Sequence, residues 1–119
     1  MIRWLAPVII SLLGVAVAHA ATPSPQRQAE LRHLLIQDCG SCHGLTLKGG
    51  LGPALTPPAL AGKPPEFLQL TILHGRPGTA MPPWRGLLSE DDSRWLADRL
   101  LAGRRNHECR ERIDDRCRR

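Results

Sequence analysis

The sequence predicts an all-α domain, and three observations carry that prediction. No apolar/polar alternation runs long enough to build a sheet. Three stretches instead show helical spacing with recognisable start and stop residues. Gly/Pro-rich segments follow the first two, and the longer one carries interleaved leucines, so they read as loops packed over something apolar rather than as linkers.

The elements follow in chain order. Met1-Ile2-Arg3 supplies a positive charge, Trp4 to Val17 is almost wholly apolar, and Ala18-His19-Ala20 is a small-x-small cleavage signal. That order is the one a secretory signal peptide uses. The apolar run is shorter than the roughly 20 residues that span a bilayer. Residues 1–20 are therefore expected to be removed, leaving no stable membrane insertion and placing the rest in an oxidising space outside the cytoplasm, the periplasm.

The first helix is predicted from about Pro25 to Asp38, with Ser24 as its cap and Leu31, Leu34 and Leu35 on one face. The segment from Lys48 to Pro65 reads as the first loop, its Leu51, Leu55 and Leu60 turned toward an apolar surface. The second helix is predicted from about Pro64 to His74, stopped by Gly75. A second loop spans Arg76 to Gly86. The third helix opens at Ser89-Glu90-Asp91-Asp92, a capping hydroxyl followed by acids that suit the positive end of the helix dipole. It runs to Ala102-Gly103 with Trp95 as a core anchor. The body of the domain is thus 21–103, and 104–119 is an Arg-rich tail.

Beyond residue 20 the aromatics are Phe67, Trp84 and Trp95, with no tyrosine. So small a domain has a marginal core without help from a disulfide, metal or cofactor. Charge is uneven: from Ala21 to Gly103 eight Lys/Arg face seven Asp/Glu, whereas Arg104 to Arg119 holds seven Arg against four acids. The tail has no stacking aromatic, which disfavours nucleic acid as its partner. Its Cys109 and Cys117 suit a local disulfide in an oxidising compartment.

Chemistry concentrates in Asp38-Cys39-Gly40-Ser41-Cys42-His43-Gly44. Cys39, Cys42 and His43 form the C-x-x-C-H pattern of c-type haem attachment. Thiols three residues apart at the end of a helix can both form thioethers with the vinyl groups of one porphyrin, and the adjacent imidazole then reaches the iron. A thioredoxin-like site would need a strand–helix–strand setting, which is absent. A zinc site would need a second ligand pair, and Cys109 and Cys117 are poorly placed for it. A plain disulfide leaves His43 without a role. Met81 is the sole methionine beyond Met1 and stands before a stiff Pro82-Pro83, which makes it the candidate for the sixth iron position. His74 is its rival; His33 and His107 are weaker ones.

These residues resemble the small monohaem class I cytochromes c over roughly Gln26 to Gly103. The resemblance includes Cys39/Cys42/His43, Gly52-Pro53-Ala54-Leu55, Met81-Pro82-Pro83-Trp84 and Trp95-Leu96. It implies a class I cytochrome c fold wrapped around one covalently bound haem c, with His43 and Met81 on the iron. It also implies that the Pro53 carbonyl fixes the His43 ring, and that the first and last helices cross, with Leu31 and Leu35 near Trp95. "GLGPALTPPALAGKP" with "ILHGRPGTAMPPW" is similar, more narrowly, to the NirC-type cytochromes of denitrifying nitrite-reductase gene clusters. That similarity implies an electron-transfer protein rather than an enzyme, donating to the haem c/haem d1 nitrite reductase, or alternatively a redox protein in haem d1 maturation. A gas-binding or peroxidase-like role would require Met81 to leave the iron.

Overall fold

The computed structural model describes residues 21–103. The expected signal peptide and the Arg-rich tail, with Cys109, Cys117 and His107, lie outside the described residues.

Helix α1 spans Pro25–Leu34. The Ser24 hydroxyl accepts the Arg27 N–H at 3.2 Å, and Pro25 gives up no hydrogen bond at the first helical position. The sequence predicts this helix to end near Asp38, but the helical path runs on to His43. A π-helical turn, Leu35–Cys39, leads into the short α2, Gly40–His43. The Gly40 N–H reaches back to the Leu35 carbonyl, inserting one extra residue in that turn. Leu31 and Leu35 thereby stay in the core while both cysteines meet the cavity described below.

Two further short-range features were not legible. Helix α3, Pro57–Leu60, lies inside the predicted first loop, its two prolines supplying helical φ at its start. It buries Leu60. Leu47 sits at φ 59, unusual for a branched side chain, yet it is only 3% exposed. Burying a leucine is worth roughly 1.5–3 kcal/mol, enough to offset the roughly 1–2 kcal/mol of a left-handed residue. A hydrogen bond from the Leu55 N–H to the Leu47 carbonyl, 2.9 Å, holds the turn.

Helix α4 spans Pro65–His74 and packs along α5, Glu90–Ala102, with α3 against the same helix. Gly75 closes α4 at φ 67, as its composition suggests. The start of α5 is a full capping box. Ser89 accepts from the Asp92 N–H and Asp92 accepts from the Ser89 N–H. Leucines dominate the core: Leu31, Leu35, Leu47, Leu60, Leu68, Leu88, Leu96 and Leu100 enclose Ala97, with Trp84 and Trp95 packed at its margin. Trp95 serves as the anchor its spacing implies, and the Arg99 guanidinium covers its ring at 4.7 Å.

The first and last helices are joined by charge as well as by this core. Arg27 donates to both Asp92 oxygens, the shortest contact being 2.9 Å, and to the Leu87 carbonyl. Burial alone would raise the Asp92 carboxyl, but the bonds from Arg27 and Ser89 outweigh it and hold the group below the usual carboxylate range. Among the described residues there is no strand, and no helix is long and apolar enough to cross a membrane.

Candidate haem site

His43 is the last residue of α2, and its ring is buried against the loop that follows. Gly44, at φ 86, turns the chain out of the helix. The loop then doubles back beneath the Cys42-His43 pair. The Gly49 N–H donates to the His43 carbonyl and the Gly52 N–H to the Cys42 carbonyl, each at 2.8 Å. One residue later the Pro53 carbonyl lies 2.7 Å from His43 Nδ1, the contact implied by the resemblance. A carbonyl can only accept, so Nδ1 carries the proton and Nε2 keeps its lone pair. That is the tautomer a metal ligand needs.

Gly52 completes the cradle. A Cβ there would lie 2.8 Å from His43 Cε1 and 2.9 Å from Nδ1. The backbone lies this close because no side chain intervenes. Sequence reasoning noted Gly52 only as a neighbour of Pro53; the Gly49-Gly50-Leu51-Gly52 run was the available signal for a close approach.

His43 faces a cavity of about 590 Å³. Cys39, Cys42, His43 and Met81 all line it, so the fold brings together every residue that the sequence nominates for the haem. Its other walls are largely apolar: Leu35, Leu55, Leu60, Leu68, Ile72 and Leu100 among them. Cys39 and Cys42 are free thiols. Burial, with Asp38 beside it, pushes the Cys39 thiol up to about 11, so it remains an uncharged part of the wall at neutral pH. Leu51 lines the cavity too, as its place among the first loop's interleaved leucines implies. Phe67 also lines the rim and is 45% exposed.

Met81 reaches the cavity from a loop folded back on the end of α4. The Arg76 N–H donates to the Met81 carbonyl, the Trp84 N–H to Ile72 and the Arg85 N–H to Leu73. The Thr79 hydroxyl donates to the Arg76 carbonyl and accepts from the Met81 N–H. Gly75 again permits the approach, since a Cβ on it would fall 2.7 Å from the Met81 carbonyl oxygen and from the Pro82-Pro83 backbone. The rival histidines are placed elsewhere. His74 is exposed, with Nε2 accepting from the Arg85 guanidinium at 3.0 Å, and His33 is exposed on α1. Neither lines the cavity.

The donor set and the cavity fit a haem bound through thioethers. An imidazole with a fixed tautomer, a thioether, two unpaired thiols and an apolar enclosure suit an iron porphyrin. Among the described residues no three His, Cys, Asp or Glu side chains gather to hold a metal ion directly, which leaves the zinc alternative without a site there.

Comparison with known proteins agrees with this chemistry. A family model described as cytochrome c oxidase, cbb3-type, subunit III, matches residues 26–98. Cytochrome c55X of Pseudomonas aeruginosa is 67% identical over 92 residues, covering 77% of this chain and 75% of that protein. A solved c-type cytochrome NirC superposes with a TM-score of 0.67 at 70% identity, over 68% of this chain and 95% of its own. A segment of the dihydro-heme d1 dehydrogenase of P. aeruginosa is 44% identical over 66 residues, 56% of this chain but 13% of that protein.

Proposed function

The chain belongs to the c-type cytochromes, and from that premise we propose that it ferries single electrons in the periplasm to a haem c/haem d1 nitrite reductase. It is an electron carrier with one covalently attached haem c. In our assignment Cys39 and Cys42 would hold the haem through thioethers, and His43 Nε2 and the Met81 sulfur would bind its iron. The single observation behind that assignment is the shared cavity onto which these four side chains open.

Bound haem supplies one-electron exchange between Fe(II) and Fe(III). The residues set its terms. Pro53 and Gly52 hold the His43 ring in one orientation, so the imidazole need not reorganise on electron transfer. The Met81 thioether favours the reduced state relative to harder ligands and so raises the potential. The leucine-rich walls exclude water and disfavour the extra charge of the oxidised centre. With His43 and Met81 both bound to the iron, the chain would leave it no position for a substrate.

The partner reading rests on similarity to NirC and on the loops around the site. Stopped-flow mixing of the reduced protein with haem c/haem d1 nitrite reductase, with and without nitrite, tests it. Fast, salt-sensitive oxidation that turns over with nitrite is expected. Slow, nitrite-independent oxidation would overturn it in favour of the second reading, service to haem d1 maturation. One observation favours that reading: the match to a segment of a dihydro-heme d1 dehydrogenase.

A further inference from the structure

Besides His43 and the two cysteines, the cavity lining includes one acidic and two basic side chains: Asp38, Lys63 and Arg76. The cations are not equivalent. Lys63 precedes α4, and its ammonium lies over the Phe67 ring, 5.5 Å from the centroid. Arg76 follows α4 at the start of the Met81 loop, and no carboxylate among the described residues meets its guanidinium. Other arginines differ: Arg27 pairs with Glu30 and Asp92, Arg94 with Glu66 and Asp98, and Arg85 meets His74.

The Arg76 backbone is held at both ends. Its N–H donates to the Met81 carbonyl at 3.2 Å, and its carbonyl accepts from the Thr79 N–H and hydroxyl. A guanidinium on so fixed a stem, at the edge of an apolar cavity, presents a planar fork of donors matched to a carboxylate. Haem carries carboxylate side chains, and burying one beside apolar walls is costly without a cationic partner. We infer that Arg76 binds a haem carboxylate and thereby anchors the Met81 loop to the cofactor. Arg76 is on this account a positioning residue for the sixth ligand, and the inference rests on the haem site proposed above.

The test uses the holoprotein and the variants Arg76→Gln, Arg76→Lys and Lys63→Gln. Covalent haem is first measured after denaturation; its absence from the parent protein would sink the site assignment itself, separately from this inference. Resonance Raman spectroscopy then reads the haem carboxylate bending band, and absorbance of the oxidised form reads the sulfur–iron charge-transfer band. Arg76→Gln is expected to move the carboxylate band toward its position in unpaired, hydrated haem carboxylates. It should also weaken the sulfur–iron band and lower the reduction potential. Arg76→Lys should restore most of the potential and only part of the Raman shift, since a point charge lacks the fork. A carboxylate band in Arg76→Gln identical to the parent's overturns the inference even if the potential falls, because a rim cation alone would do that. A shift seen with Lys63→Gln and not with Arg76→Gln overturns it as well. If Arg76→Gln takes up no haem, the partial Raman shift of Arg76→Lys decides the matter.

Discussion

Replacing Gly52 by alanine tests the His43 cradle with one carbon atom. The new Cβ would stand 2.8 Å from His43 Cε1, 2.9 Å from Nδ1 and 3.3 Å from Nε2. Ordinary contact begins near 3.4 Å, so the ring or the loop must give way by about 0.6 Å. Neither moves easily. The ring is tied to Pro53 at 2.7 Å and the loop to Cys42 at 2.8 Å. A displacement of that size stretches the Nδ1 bond beyond about 3.2 Å, where it weakens. Overpacking typically costs about 1–3 kcal/mol and a lost hydrogen bond about 1 kcal/mol more. The sum, about 2–4 kcal/mol, corresponds to a drop in Tm on the order of 10–20 °C for so small a domain. The backbone of Gly52 is not left-handed, so conformational strain adds nothing to this figure. Gly86→Ala is the control, since a Cβ there meets nothing within 4 Å; its stability should change by less than about 0.5 kcal/mol. Thermal melts of the two holoproteins, with absorbance spectra of the oxidised haem, form the assay. A Gly52→Ala protein with the parent's Tm and spectrum would refute the idea that this backbone fixes the imidazole.

Met81→Ala should open a coordination position: the reduced variant is expected to bind carbon monoxide readily while the parent does not, and its potential should fall. Ready binding by the parent would favour a gas-binding or peroxidase-like role instead. Asp92→Asn should cost about 1 kcal/mol at pH 7, a modest figure because Arg27 is partly exposed. Because the Asp92 carboxyl lies below its unfolded value of about 3.9, its stabilisation is present above about pH 4 and is lost as pH falls through the folded value. Denaturant melts of the variant should therefore show a shallower loss of stability in acid than the parent; parallel curves would contradict the assignment. Truncation after Gly103 should leave covalent haem intact, since Cys39, Cys42, His43 and Met81 all precede it; loss of haem would make the tail structural.

The legible parts of the fold were those written locally. Ser24-Pro25, Ser89 with its three acids, and Gly75 mark helix ends through side chains acting within a turn or so of themselves. Cys39, Cys42 and His43 could be grouped from sequence because they stand within one short segment, and the structure sets all three on one cavity. What failed depends on distant packing. The π-helical turn before Cys39 leaves no residue signature, since it reconciles Leu31 and Leu35 in the core with cysteines at the cavity. His74 and Met81 stood as rivals in sequence because each could ligate iron. The Arg85 contact to His74 and the folded-back loop at Met81 separate them, and both are long-range facts.

The two sides of the site repeat one construction. Gly52 brings backbone against the His43 ring and is followed by Pro53; Gly75 brings backbone against the Met81-Pro82-Pro83 stretch. In each, a residue without a Cβ allows contact that a side chain would block, and a proline limits the freedom of the segment so held. The chain's 11 glycines and 11 prolines would, in another arrangement, suit a flexible linker. Here they hold backbone behind the end of α2 and around Met81, while the helices supply most of the leucine walls. The division follows from geometry. In the proposed assignment, backbone anchored by Cys42, Pro53 and the end of α4 would hold His43 and Met81 toward the iron without having to reorganise.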